Sequence, residues 1–174
     1  MRKQHGLRGS ELENRINMTI DYYREDNLGL IQKIPTPITP ISISNTKKQI
    51  TSAYFAKKST VDYIGVVQGV PVCFDAKEVS NDNFPLKNIH EHQFEFMKDF
   101  EKQEGVSFLL IYFKKREIVH YMSFKELSKF FKNNKYTKSS FSFEDLNKSY
   151  NIDIKNNLYV PFLKMLQKDL DKRY

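Results

Sequence analysis

The sequence predicts one α/β (α+β) domain over residues 1–174, a mixed sheet flanked by helices with a protruding basic stalk at residues 35–59. Three observations carry this expectation. Helix-period segments alternate with short runs rich in Val, Ile, Tyr and Phe, in the order α, β, excursion, β, β, α, β, β, α, α, as expected for helices packed on a sheet. Two such runs, Thr60 to Val67 and Val70 to Lys77, flank the turn signal Gln68-Gly69 and read as a hairpin. Between residues 35 and 59 the chain turns to Pro, Ser, Thr and Lys, with nothing that resembles core.

Each element has its own signal. Ser10-Glu11-Leu12-Glu13 is a capping-box start, and Leu12, Ile16, Ile20 and Tyr23 recur at helical spacing, so a helix is expected from about Glu11 to Asp26, stopped by Asn27 and Gly29. Leu28 to Ile34 is a short strand, ended by Pro35-Thr36-Pro37 and again by Pro40. After the hairpin, Asn83 to Pro85 punctuates the chain, and a helix from about Leu86 to Lys102 carries Ile89, Phe96, Met97 and Phe100, with Gln93 on the same stripe. Val106 to Phe113 is a near-continuous apolar run of strand length, and Glu117 to Met122 pairs with it across Lys114-Lys115-Arg116. A second capping box, Ser123-Phe124-Lys125-Glu126, opens a helix to about Lys132. Residues 133–157 are polar and carry no clear assignment. Pro161 starts a last helix whose buried face is Phe162, Leu163, Leu166 and Leu170.

At 174 residues, with 40% apolar content and fourteen Phe, the chain is long enough to bury a core of its own. The balance of 28 basic against 21 acidic residues leaves a net charge of +7, which favours a polyanionic partner, nucleic acid ahead of an anionic membrane. No apolar run approaches the roughly 18 residues of a spanning helix, and Met1-Arg2-Lys3-Gln4-His5 leads into no signal-type core, so a soluble cytoplasmic protein without a membrane partner is expected. Cys73 is the single cysteine and reads as a small apolar residue in a reducing compartment.

The hairpin carries the chemistry. A loop centred on Gln68-Gly69 sets Asp62 across from Asp75, and strand alternation keeps Lys77 on the face of Asp75 while Phe74 and Ala76 point the other way. Two like charges directly opposite one another are destabilising unless a cation neutralises them. Hard oxygen ligands on adjacent strands suit Mg²⁺, which takes one or two protein carboxylates together with waters and phosphate oxygens. Beside it Lys77 would hold an attacking water or the phosphate. Two exposed acids and a lysine on an ordinary edge hairpin are the plain alternative, and a bulge at Gly65 or Gly69 would send one carboxylate to the other face.

Further candidates surround this pair. Glu13 is explained as the capping-box acid of the first helix, yet it lies one turn from Asn17 and would reach the hairpin if that helix packs on it. Gln93, an amide on an apolar stripe, needs a buried partner that a carboxylate cluster or a DNA phosphate would supply. On a helix His90 and His92 would face away from each other, which argues against a shared zinc. In the stalk, Lys47, Lys48, Lys57 and Lys58 surround Tyr54 and Phe55, a combination suited to phosphates and unpaired bases, or otherwise to a solvated loop or a dimer contact.

Helix-borne Glu13, then Asp62, then Asp75-Ala76-Lys77, then Gln93 on the next helix resembles the PD-(D/E)xK nuclease arrangement. More specifically, the chain resembles the RecU-type Holliday junction resolvases. The matching text is Arg8-Gly9, Lys33-Ile34-Pro35-Thr36-Pro37, Ala53-Tyr54-Phe55, Ser59-Thr60-Val61-Asp62-Tyr63, Phe74-Asp75-Ala76-Lys77-Glu78, the run Phe84 to Gln93, and Met97. Asp75 stands where the family usually carries Glu, and Val61 where Thr is often found.

The resemblance implies a restriction-endonuclease-like fold and a homodimeric, Mg²⁺-dependent endonuclease, with Mn²⁺ a possible substitute, that nicks four-way DNA junctions symmetrically. It assigns Asp62 and Asp75 as metal ligands, Lys77 to the nucleophile or phosphate, Glu13 and Gln93 to completion of the site, and residues 35–59 to a stalk that enters the junction. Arg8 would touch DNA or a RecA-type recombinase. A restriction-like or general repair nuclease of the same fold, and a non-catalytic junction-binding protein, remain alternative readings of the same residues.

Overall fold

A computed structural model describes residues 10–44, 46, 49–55, 60–132 and 135–173. In chain order its elements are α1 (Glu11–Glu25), β1 (Leu30–Lys33), β2 (Ile38–Ser44), β3 (Gln49–Phe55), β4 (Tyr63–Val67), β5 (Val70–Val79), β6 (Asn83–Pro85), α2 (Glu91–Lys102), β7 (Val106–Phe113), β8 (Ile118–Ser123), α3 (Phe124–Leu127), β9 (Phe131–Lys132), β10 (Lys135–Tyr136), β11 (Ser140–Ser142), β12 (Asn151–Asp153) and α4 (Leu163–Leu170). Six strands form one sheet in the order β1-β4-β5-β7-β8-β12. All its pairings are antiparallel except β5 with β7, which α2 joins as the crossover that a parallel pair requires. The expected mixed sheet flanked by helices is therefore observed. No helix among the described residues is long and apolar enough to cross a membrane.

Strand alternation sorts the core into two layers. Val72 and Phe74 of β5 and Val106, Phe108, Leu110 and Tyr112 of β7 face Leu12, Ile16, Ile20 and Tyr23 of α1 and Leu166 of α4. Cys73 and Val79 of β5 and Leu109, Ile111 and Phe113 of β7 face Phe94 and Met97 of α2 and Leu127 of α3. Near-continuous apolarity of β7, every residue buried, follows from its central place between these layers. Asp75 and Lys77 have odd numbers and so belong to the α2 side of β5. This is the feature of the fold that positions the site.

Ladder register agrees with the sequence: Tyr63 pairs with Phe74 and Val67 with Val70. The first arm, however, begins at Tyr63 rather than Thr60. Asp62 ends the ladder with its side chain, which accepts from Ala76 N at 3.0 Å, while its carbonyl accepts from Ile34 N at 2.7 Å. Gly65 makes no bulge; a Cβ there would sit 2.2 Å from Leu30 O and 2.6 Å from Ile31 Cα, so glycine permits the close approach of β1.

Other boundaries move for non-local reasons. Leu86 gives its N–H to Ser139 O at 2.9 Å and Leu86–Asn88 forms a 3₁₀ turn, so α2 starts at Glu91 rather than Leu86. The helix opened by Ser123 is one turn long and passes through a further 3₁₀ turn, Ser128–Phe130, into β9 instead of continuing as helix to Lys132. Within the unassigned residues 133–157, β11 pairs with β6 and β12 completes the main sheet beside β8.

The excursion is a separate two-stranded ribbon in which β2 pairs with β3, with irregular register between Pro40 and Ile43. Ile38, Ile41, Ile43, Ile50 and Tyr54 of this ribbon are all about half exposed or more. Masking of the backbone approach at Gly65 gives a direct check on the β1 edge: Gly65→Ala should lower stability in urea unfolding by about 1–3 kcal/mol. An unchanged unfolding midpoint would contradict the close approach of β1 to β4.

Candidate active site

Asp75 lies fully buried at the centre of a polar cluster on the α2 face of the sheet. Its Oδ1 accepts from Gln93 Nε2 at 3.0 Å and from Asp62 N at 3.2 Å. Oδ2 forms an ion pair with Lys77 Nζ but receives no hydrogen bond of sound geometry. Gln93, only 6% exposed, uses both ends of its amide: Oε1 accepts from His90 N at 3.1 Å and from Lys77 Nζ at 3.4 Å. One side chain thereby closes the first turn of α2, orients the carboxylate and steadies the lysine. The sequence pattern His90-x-x-Gln93, with an amide three residues past the cap, is the signal of that closure.

Electrostatics reinforce the arrangement. Burial raises Asp75 from the ordinary carboxylate range to about 7; Lys77 opposes the shift, and the adjacent Asp62 carboxylate adds to it. Burial and the charges of Glu13, Asp62 and Asp75 likewise push the Tyr63 phenol up. Two acids against one lysine leave the cluster with a negative excess when both are ionised. Buried Oδ2, held by the Lys77 ammonium alone among the described residues, is a hard oxygen atom of the kind a divalent cation takes. No group of three or more His, Cys, Asp or Glu residues gathers as a metal site among the described residues. A pair of carboxylates fits an ion that shares its shell with water and phosphate, as Mg²⁺ does, better than an all-protein zinc cage.

Of the residues expected in the site, Asp62, Asp75, Lys77 and Gln93 come together. Glu13 has another partner: its carboxylate accepts from Lys33 Nζ at 2.8 Å, and Ser10 Oγ caps its backbone N–H at 3.2 Å. Lys33 reaches it because Lys33 pairs with Tyr63 across β1 and β4, and Tyr63 faces α1, where its hydroxyl donates to Asn17 Oδ1 at 3.0 Å. His90 and His92 correct their expected geometry. His90 precedes the helix in extended conformation, so the two rings stack with centroids 5.4 Å apart instead of facing away.

Tyr54 is 55% exposed on β3, and Phe55 ends that strand opposite Ile38. Arg8, Lys47, Lys48, Lys57 and Lys58 lie outside the described residues. Glu78 is part of the matched run Phe74 to Glu78 but carried no assigned role; its Oε1 accepts from Leu12 N at 2.6 Å at the start of α1 while its other oxygen pairs with Lys114 Nζ. That contact ties the residue after Lys77 to the first helix across 66 positions of chain, which no local pattern encodes.

A mixed sheet bearing an aspartate at a ladder end, Asp-x-Lys on the next strand and a helix-borne glutamine has the site layout of a PD-(D/E)xK-type nuclease. A family model described as RecU, Recombination protein U, matches residues 7–168. Holliday junction resolvase RecU of Pediococcus pentosaceus is 38% identical over 96% of this chain and 86% of its own. That of Staphylococcus aureus strain JH9 is 35% identical over 91% of this chain and 76% of its own. The chain belongs to the RecU family. A solved Holliday junction resolvase, Hjc of Archaeoglobus fulgidus, is 8% identical, covers 77% of this chain and 86% of its own, and superposes with a TM-score of 0.40, a likeness too slight to carry an argument.

The raised Asp75 has a measurable consequence in metal-free protein. Between the ordinary carboxyl value of 3.8 and the folded value of about 7, the folded chain keeps a proton that the unfolded chain has released. Its contribution to stability therefore falls as pH rises through that window, and the penalty is complete above it. In EDTA, Asp75→Asn should leave stability nearly unchanged at acid pH and raise it by about 1–2 kcal/mol at pH 8. Urea unfolding across this range checks the effect; a gain that does not grow with pH would contradict the buried, ionised carboxylate.

Proposed function

We propose that this chain resolves four-way Holliday junctions in DNA, as a homodimeric endonuclease that uses a divalent cation, Mg²⁺ or Mn²⁺, in recombination and repair. The observation that carries the reading is the closed set of contacts around buried Asp75, in which Gln93, Lys77 and the Asp62 backbone fix a carboxylate beside a second one. Membership of the RecU family over residues 7–168 supplies the substrate class. A recombinase of the RecA type is its proposed protein partner, through the segment that contains Arg8, and the cytoplasm its place of work.

In this reading Asp62 and Asp75 hold the cation. When bound, the ion acidifies a water and neutralises charge that develops on the phosphate. Lys77, held between Asp75 and Gln93, aims its ammonium at the attacking water or a phosphate oxygen. Gln93 keeps both at fixed angles, so little reorganisation accompanies the reaction. Glu13 completes the site when it leaves Lys33. The products are a 5′-phosphate and a 3′-hydroxyl that ligase can reseal. Two identical subunits related by a two-fold axis present two such sites to a pseudo-symmetric junction, which yields paired cuts. The ribbon of β2 and β3 enters the junction, where Tyr54 and Phe55 meet bases and Lys47, Lys48, Lys57 and Lys58 meet phosphates.

Nicking of a mobile four-way junction, compared with matched linear duplex in Mg²⁺ and in EDTA, tests the proposal. Junction-selective cutting that requires the cation is expected. Asp62→Asn and Asp75→Asn should each lower it about a thousandfold, the scale of several kcal/mol of lost charge stabilisation. Equal cutting of both DNAs would refute junction specificity, and full activity in either variant would refute the assigned site.

A further inference from the structure

Seventeen residues from Leu127 to Phe143 contain Lys129, Lys132, Lys135 and Lys138 at even intervals of three and not one acid, between Glu126 and Glu144. Nothing in the catalytic reading uses this segment. Its described backbone is anchored on both sides of residues 133–134. Thr137 N donates to Phe130 O at 2.8 Å, and β11 pairs with β6. Phe141 is buried, with its ring stacked on Phe84 at 5.0 Å and on Phe130 at 4.8 Å. Apolar side chains thus point inward and hold the strip in place, while Lys129, Lys135 and Lys138 are exposed.

Lys87, also exposed, belongs to the same surface, because Leu86 N donates to Ser139 O at 2.9 Å. Among the described residues none of Lys87, Lys129, Lys135 and Lys138 makes an ion pair with an acid, whereas Lys33, Lys98, Lys102, Lys114 and Lys148 all do. Lys138 instead lies over the Phe130 ring, 5.6 Å from its centroid. Four exposed ammoniums, on one segment and on the turn bonded to it, without a paired acid, gain most from a partner that brings several negative charges at once.

The ridge also has a fixed relation to the catalytic cluster. Leu86 leads directly through the 3₁₀ turn into α2, whose Gln93 grips Asp75. Gln93 lies seven positions along the chain from Leu86, a reach of at most about 24 Å. That is shorter than one turn of duplex, about 34 Å. A duplex whose reacting phosphate lies at Asp75 and Lys77 can therefore lay its next phosphates along the ridge. Among the described side chains of the strip none of the phenylalanines is exposed, so the lysines are what it offers a partner, which suits the backbone of paired DNA better than unpaired bases.

We propose that Lys87, Lys129, Lys135 and Lys138 form a second DNA-binding surface, which takes the phosphates of the duplex arm that leaves the catalytic site. This rests on the nuclease reading above and adds a separate subsite to it. The test compares wild type with the triple variant Lys87→Ala, Lys135→Ala, Lys138→Ala, by equilibrium binding in Ca²⁺ at several salt concentrations. Two junctions are used, one with arms of two turns, about 20 base pairs, and one trimmed to about half a turn, 5 base pairs, beyond the cut.

On long arms the variant should bind more weakly, with a log K against log salt slope reduced by about 2–3, close to 0.9 per lost contact. On trimmed arms the two proteins should bind alike, and the rise in melting temperature caused by Mn²⁺ should be the same in both. Unchanged affinity on long arms, or an equal loss on trimmed arms, would overturn the proposal. So would an equal loss in Lys155→Ala with Lys164→Ala, two exposed lysines remote in sequence from the strip. Failure of the wild-type chain to bind either junction would overturn the nuclease reading itself.

Discussion

The structure depends on one buried carboxylate being held ionisable. Asp75 sits in the middle of β5, between β4 and β7, at a position where an apolar residue would otherwise complete the layer under α2. Keeping a charge there is costly unless it is paired and hydrogen-bonded. Gln93 and Lys77 reduce that cost, and neighbouring Asp62 increases it again. The result is a site poised between protonated and ionised states, a conflict that a structural core would not retain and that a bound cation would relieve.

Everything around Asp75 serves to keep that conflict in place. Pairing of β5 with β7 in parallel requires a crossover, and the crossover is α2, so the same connection that builds the sheet delivers Gln93 over the carboxylate. Strand β4 begins only at Tyr63, and the Asp62 side chain just before it locks onto Ala76 N. On the opposite face, Glu78 fastens the start of α1 to the strand just past Lys77. The cluster is thus supported from both layers, and its geometry is set by backbone elements and not by mobile loops.

Local rules made much of this legible. A two-residue turn with β-rich arms fixes register, so the meeting of Asp62 and Asp75 and the face shared by Lys77 followed from counting along two strands. Gln93 was legible because an amide on an apolar stripe demands a partner. Long-range pairing hid the rest. The late start of α2 depends on Ser139, the strands within residues 133–157 exist only because β6, β8 and β9 accept them, and the late start of β4 depends on Ile34 and on a side chain that replaces backbone. For His90 and His92, the assumption of a continuous helix failed at its first residue, where extended backbone brings the rings together.

Anomalous scattering from crystals grown with Mn²⁺ tests the account most directly. It predicts a peak in contact with one carboxylate oxygen of Asp62 and one of Asp75, at roughly 2.0–2.6 Å, with Lys77 turned toward the open side of the ion. A peak bound elsewhere, or none while Lys77 still neutralises Asp75, would contradict the claim that this pair of aspartates exists to hold a metal ion.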